Sequence, residues 1–341
     1  MAVDRPTRRR VLTIVAAAAA GAIGGGPARP AKADFAWHGV AMGADATVLF
    51  SGIEPEQARQ AAALVEAEID RLERALSLYR PESELSRLNR DGVLSAPSAD
   101  LRRALDIALT VSKASDGLFD PTVQPLWETY VDWFTAAPAA GLPPEPVLSV
   151  ARASVGWGRV RLATEQIQLA RGQRLTLNGL GQGYLTDRVA ELLSARGLTT
   201  ILVDLGEQRA LGARRDGSPW LIERRGAETI RLTCGALATS EGSGCVLGAG
   251  GAAHHLFDPR TGRSAAHWKR LSVHHRSAAT ADALSTALSI ASAAELAALL
   301  PRFAGTTVWA RDFHDREWFW RSPSTDDVAA TSGDAVATSG I

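Results

Sequence analysis

Apolar runs of strand length and apolar stripes of helical period follow one another in this chain without regular strand–helix–strand alternation. That irregular order points to the α+β class, with mixed or antiparallel sheets and helices packed on them, and away from a doubly wound sheet. Residues 48–50 form a short apolar run ended by Ser51-Gly52, a strand and turn. A helix starts at Glu54-Pro55, where Val65, Ile69, Leu72 and Leu76 recur every three or four residues. Ser98 is placed to cap a second helix with Leu101, Leu105, Ala108 and Val111 on one side. A third helix spans about 183–196 and stops at Gly197. Residues 201–205 read as a buried strand, and 220–223, 229–233, 307–310 and 318–320 as further strands. Residues 280–300 are expected as one long helix halted by Pro301, and the Pro/Ala/Gly-rich stretch 138–146 as a surface loop.

The chain has 341 residues, room for one large domain or two small ones, and its 37 Lys/Arg balance its 37 Asp/Glu. The balance is uneven along the chain. Residues 1–33 hold six Lys/Arg and one Asp, a net +5, which leaves the remainder at −5. A mildly acidic remainder argues against nucleic acid as a partner. The basic N-terminal stretch has the order of an export signal. Arg8-Arg9-Arg10 fits a twin-arginine pattern, an Ala/Gly-rich apolar stretch covers 11–26, and Ala31-Lys32-Ala33 supplies an A-x-A cleavage site before Asp34. A spanning helix needs about 20 strongly apolar residues, whereas this stretch is shorter, mostly Ala and Gly, and broken at Pro27. The expectation is a cleaved signal over 1–33, a periplasmic protein without stable membrane insertion, one domain over 34–321, and a disordered Ser/Thr/Ala/Asp/Gly-rich tail over 322–341. The two cysteines, Cys234 and Cys245, leave two readings open: a disulfide in an oxidising compartment, or two small buried thiols.

Four segments carry polar residues and glycines inside otherwise apolar surroundings: 115–123 (SDGLFDPTV), 177–184 (LNGLGQGY), 255–262 (HLFDPRTG) and 281–288 (ADALSTAL). In the last, Asp282 and Thr286 are four apart at a helix start, so they share a face and both offer oxygen. A hard cation such as Mg2+ takes oxygen ligands, one or two carboxylates, and substrate phosphate oxygens. The competing reading makes Asp282 a helix cap. Gly179-Leu180-Gly181-Gln182-Gly183 lacks the full spacing of a dinucleotide fingerprint and reads as a tight turn into a helix. The pairs His254-His255 and His274-His275 each offer at most one ligand to a site, because neighbours on a strand face opposite ways.

In this order and spacing the four segments resemble the ApbE flavin transferases. Ala41-Met42-Gly43 looks like that family's opening element, and 76–81 (LSLYRP) with 83–89 (SELSRLN) like its S-x-Y-x-P-x-S-E-L-S-x-L-N stretch. The resemblance covers about 35–320. It implies an ApbE-like, T-fold-like architecture and a Mg2+-dependent FAD:protein FMN transferase, in which FAD is a substrate cut to AMP and FMN is linked to a Thr or Ser of another protein. By the same resemblance, Met42, Tyr79, Leu118, Phe119, Asp120, Thr176, Gln182 and Leu256 fall at FAD-contacting positions. Asp282, Thr286 and the Gly179 carbonyl fall at Mg2+ ligands, with Ser285 as a helper, and His255 falls beside the reacting phosphate. The implied partner is an acceptor flavoprotein with a Thr/Ser flavinylation site, exported or membrane-bound, such as an electron-transfer protein. Three positions depart from the family pattern: Gln182 replaces its usual lysine, Gly206-Glu207 its Gly-Gly pair, and Glu241 the glycine of its T-S-G. The form Asp204-Leu205-Gly206-Glu207 resembles the branch associated with nitrous oxide respiration (NosX-type). Two other functions fit the same residues: an FAD pyrophosphatase with water as acceptor, and a non-catalytic flavin carrier.

The N-terminal reading has a direct test. Changing Arg8 and Arg9 together to Lys is expected to hold the precursor in the cytoplasm, as seen by fractionation; undiminished export would exclude the twin-arginine route.

Overall fold

Eight strands pair in chain order into one sheet: β1 (Phe35–Ala41), β2 (Ala44–Phe50), β3 (Ile201–Asp204), β4 (Gln208–Ala210), β5 (Gly235–Glu241), β6 (Arg270–His275), β7 (Thr307–Arg311) and β8 (Glu317–Arg321). Every pairing in it is antiparallel. The computed structural model describes residues 35–323 apart from 139–140 and 225–227. The expected export signal and nearly all of the expected tail therefore lie outside the described residues. Helices α1 (Pro55–Leu76), α2 (Glu84–Asp91), α3 (Ala99–Ala114), α4 (Gln124–Ala136), α5 (Glu145–Arg152) and α6 (Gly181–Ser194) all fall between β2 and β3, while α7 (Ala278–Ile290) and α8 (Ala293–Leu299) fall between β6 and β7. This is the expected α+β architecture, with the sheets antiparallel throughout. No helix among the described residues is long and apolar enough to cross a membrane.

Both faces of the sheet are covered, which explains why β3 reads as a continuous apolar run. Ile201 and Val203 join the main core with Val65 and Leu72 of α1, Leu105 of α3, Val189 of α6 and Leu284 of α7. Leu202, on the opposite side of the pleat, joins Leu49, Leu237 and the hairpin residues Trp220, Ile222 and Leu232.

The structure corrects two sequence expectations. Residues 280–300 are not one helix. The α7 helix ends at Ile290, Ala291 is extended, and Ser292 starts α8 with a capping box in which its hydroxyl accepts from the Glu295 N–H and the Glu295 carboxylate accepts from the Ser292 N–H. The Trp268 indole donates to the Ala291 carbonyl at 2.7 Å and holds the break. The expected loop at 138–146 already gives way to α5 at Glu145, with Pro146 in the first turn, where its missing N–H costs nothing.

The α6 and α7 helices cap one another. Leu180 precedes α6 without a capping side chain, and the Asp282 carboxylate of α7 accepts the Gly183 N–H at 3.0 Å instead. In return, Asp187 of α6 accepts from the Ala278 N–H at 2.8 Å, the Ala279 N–H at 3.1 Å and the Ser277 hydroxyl at 2.7 Å. Each carboxylate satisfies backbone donors that a helix start leaves unpaired. The two backbones touch at Gly183, where a Cβ would lie 2.3 Å from the Ala278 carbonyl oxygen. Gly183→Ala is therefore expected to lower stability by about 1–3 kcal/mol or more, read as a fall in melting temperature. An unchanged melting temperature would show that the helices have room to spare.

Candidate active site

A cavity of about 330 Å3 opens beside the first turn of α6. All of the residues expected at the site except Ser285 line it. One wall is the turn between α3 and α4. Asp116 and Gly117 adopt left-handed φ of 53° and 80°, and the Ser115 hydroxyl accepts the Phe119 N–H at 3.1 Å, which presents Leu118 and Phe119 to the cavity. Asp120 fixes this turn. One carboxylate oxygen accepts from the Thr122 N–H and hydroxyl at 2.8 and 2.6 Å, and the other from the Trp157 N–H at 3.0 Å. The acceptors of Asp120 are thus engaged within the protein.

The facing wall is the glycine turn into α6. The Thr176 N–H donates to the Pro121 carbonyl at 2.8 Å and joins the two walls. A Cβ on Gly179 would lie 3.1 Å from the Phe119 ring and 3.1 Å from the Thr286 hydroxyl, so only glycine brings this backbone against Thr286 without a shift. Met42 reaches the same turn from the β1–β2 connection, where it holds φ 52° and its N–H donates to Glu73 at 2.7 Å. Gln182 lies against Gly206, and Tyr79 is 40% exposed at the opening.

The third wall is the loop of His255 and Leu256. His254 and His255 face different ways, as expected of strand neighbours. The His254 Nε2 contacts the Ala265 carbonyl at 2.7 Å, whereas His255 lines the cavity. The Nδ1 of His255 is 3.4 Å from the Cys245 carbonyl. A proton on Nδ1 satisfies that carbonyl and leaves the Nε2 lone pair free. Burial, with His254 nearby, pushes His255 down to about 4, so its imidazole is neutral at pH 7. Cys245 also lines the cavity; it and Cys234 are both free thiols, and Cys234 is exposed.

Asp282 lies at the centre. The α7 helix starts earlier than expected, at Ala278 with Ser277 as its cap, so Asp282 sits in the second turn and is 5% exposed. It does cap a helix, but the neighbouring one. Burial and the charge of Asp187, opposed by the Gly183 N–H, push its carboxyl up to about 7. Thr286 stands one turn further along the cavity wall. Ser285 is fully buried behind them, donating to the Asp282 carbonyl at 2.9 Å and bonded to the Ser240 hydroxyl at 2.7 Å. Asp282, Thr286 and the Gly179 backbone make an oxygen-only donor set with one carboxylate, which fits a hard divalent cation whose remaining ligands come from phosphate and water. Among the described residues there is no group of three or more His, Cys, Asp or Glu suited to a metal.

Sequence reasoning did not assign Asp204, Glu207, Trp127 or the Glu241–Arg270 ion pair to the site, yet all line the cavity. Glu207 and Glu241 stood out only as departures from a family pattern. Arg270 comes to Glu241 through the register of β5 on β6, which no local pattern encodes.

The His255 environment predicts a pH dependence. An unfolded chain takes up this proton near pH 6.5 and the folded one near 4. Stability is therefore lost as pH falls from about 6.5 towards 4 and is unaffected by this group above that window. His255→Gln should flatten this limb of denaturation curves measured against pH, and an identical limb in the variant would refute the burial of a neutral imidazole.

Comparison with known proteins agrees with the geometry. The ApbE family model matches residues 42–309. The FAD:protein FMN transferase of Haemophilus influenzae is 28% identical over 246 residues, 66% of this chain and 71% of that relative. The Chlamydia pneumoniae protein of the same name is 31% identical over 223 residues, 62% of this chain and 69% of that protein. The apo crystal structure of Pseudomonas stutzeri flavinyl transferase ApbE superimposes with a TM-score of 0.71 at 27% identity, covering 86% of this chain and 96% of that one. With the family matched across most of its length and the fold shared with a solved member, this chain belongs to the ApbE family.

Proposed function

We propose that this protein is a Mg2+-dependent FAD:protein FMN transferase, with an acceptor Thr or Ser on another protein. The observation that carries the reading is the convergence of Gly179, Asp282 and Thr286, from two separate insertions into the sheet, on one cavity that also holds Gln182 and His255. Phe119, Leu118, Met42 and Tyr79 offer apolar and aromatic surface for the flavin and adenine rings. Asp282, Thr286 and the Gly179 carbonyl would hold Mg2+, and Ser285 supports them by fixing the Asp282 backbone. The ion would neutralise the pyrophosphate and ease departure of AMP.

In the reaction the acceptor hydroxyl oxygen forms a bond to the FMN phosphorus of FAD. The bond from that phosphorus to the bridging oxygen breaks, and AMP leaves with that oxygen. The hydroxyl proton goes to a base, and the free Nε2 of the cavity-lining His255 supports that residue in the role. Hydrolysis to FMN and AMP uses the same residues with water as acceptor. A pure carrier needs no buried carboxylate without a basic partner, so Asp282 favours an enzyme. The twin-arginine pattern supports a periplasmic location, for which the fitting acceptor is an exported or membrane-bound flavoprotein. The Asp204–Glu207 form supports a role alongside nitrous oxide reduction.

Asp282→Asn is the informative variant, because an amide oxygen still accepts the Gly183 N–H while the charge is lost. Transfer of FMN from FAD to an acceptor domain, read as protein mass and in-gel fluorescence, is expected to fall about a thousandfold, the scale of several kcal/mol of transition-state stabilisation. Melting temperature should stay near that of the parent. Thr286→Ala should be rescued by raised Mg2+ better than Asp282→Asn. A destabilised but fully active Asp282→Asn protein would leave Asp282 as a helix cap alone.

A further inference from the structure

Glu207 occupies the β3–β4 turn, just after Gly206, whose φ of 106° belongs to glycine. Its backbone carbonyl accepts the Thr186 hydroxyl of α6 at 3.1 Å, and one carboxylate oxygen accepts the Thr239 N–H of β5 at 3.1 Å. These bonds pin the residue between helix and sheet on the cavity wall, with only 6% of it exposed. The other carboxylate oxygen has no hydrogen-bond partner among the described residues, and no Lys or Arg pairs with the group. Nearby arginines are committed elsewhere, Arg209 to Asp187 and Arg270 to Glu241.

Asp282 is its neighbour across the first turn of α6. The donor to Asp282 is Gly183, and the donor to the Glu207 carbonyl is Thr186, one helical turn on. On the sheet side, Thr239 binds Glu207, and the adjacent Ser240 binds Ser285, which binds the Asp282 carbonyl. Both carboxylates line the same cavity, as does Asp204, whose two oxygens accept from the Gly206 N–H at 3.2 Å and the Gln208 amide at 3.1 Å. Asp120 and Asp204 have hydrogen-bond donors on both carboxylate oxygens, whereas Glu207 and Asp282 each have one protein donor and no basic partner among the described residues, an arrangement that a divalent cation relieves.

We infer that Glu207 is a second carboxylate of the cation site and that it lets the protein hold a divalent cation before FAD arrives. The inference rests on the reading of Asp282 as a cation ligand and extends it. Mg2+ sites built on one carboxylate depend on substrate phosphates for much of their affinity. A second carboxylate supplies part of that affinity from the protein. The departures noted in the sequence act in the same direction. Gln182 stands where the family pattern has lysine, and its amide lies against Gly206, beside Glu207 where the pattern has a second glycine. Relative to the family pattern the cavity loses a lysine and gains a carboxylate at adjoining positions, so an anionic pyrophosphate enters it more readily behind a cation.

The test is a titration of the full mature protein with Mn2+ alone, followed by electron paramagnetic resonance, without FAD. The parent protein is expected to bind Mn2+, Glu207→Gln to bind at least tenfold more weakly, and Asp282→Asn to lose binding. Glu207→Gln keeps an acceptor for the Thr239 N–H. Should it fail to fold, Glu207→Asp, which retains charge but draws it back by one methylene, is expected to show an intermediate loss. Mn2+ binding unchanged or tighter in the folded Glu207 variant, with Asp282→Asn still defective, would overturn the role of Glu207 and leave the Asp282 site standing. Unchanged binding in Asp282→Asn would remove the cation site itself. A parent protein that binds no Mn2+ until FAD is added would overturn cation loading ahead of substrate.

Discussion

The reciprocal capping of α6 and α7 is the contact on which the site depends. Asp282 closes the first turn of one helix, and Asp187 closes the first turn of the other. The helices come from different insertions, one between β2 and β3 and the other between β6 and β7. The exchanged side chains join their starts, and Leu180 and Leu185 on one side and Leu284 and Leu288 on the other share the core beneath the Gly179 turn. The exchange requires Gly183, because any side chain there meets the Ala278 carbonyl. A residue of the candidate chemistry, Asp282, is thus also part of the joint that positions it. This is why removing its charge and removing its hydrogen bond are different experiments.

The electrostatics follow from the same packing. Asp282 is buried to reach Gly183, and burial without a basic partner raises its carboxyl towards neutrality. His255 responds to burial in the opposite sense and stays uncharged. The cavity therefore presents a carboxyl that gives up its proton only near neutral pH and an uncharged imidazole with a free lone pair. A carboxyl on the open surface would not hold its proton near neutral pH, and burial keeps the imidazole uncharged well below the pH at which an exposed one gains its proton.

Much of this was legible in the sequence because it is written in local patterns. The α1 stripe of Val65, Ile69 and Leu72, the Ser98 cap and the Gly197 stop all act within a turn or two, and each appears in the structure. The i, i+4 spacing of Asp282 and Thr286 put two oxygens on one helix face, and the glycine run read as a tight turn into a helix, as found at the start of α6. Most of what escaped depends on distant partners. Strands β5 and β6, with Gly-Ala-Leu-Ala and paired histidines, have a weak strand pattern and are made strands by their neighbours in the sheet. The break at Ala291 was encoded by Ser292 and Glu295, but an unbroken apolar period on both sides masked it. Glu207 and Trp127 enter the cavity only because the sheet and α4 bring them there.

The strand order, simple as it is, has a consequence for how the molecule assembles. Phe50 pairs with Ile201, so closing the sheet at β2–β3 brings together the ends of the long segment that carries α1 to α6. Closing so long a segment costs chain entropy before its contacts repay it, and such pairings form late. Helical hairpins can mature early, but the cavity has walls on both sides of that closure. Met42 and Ala44 line the cavity from before that closure and Glu207 and Asp282 from after it, so the pocket is complete only once β2 and β3 have paired.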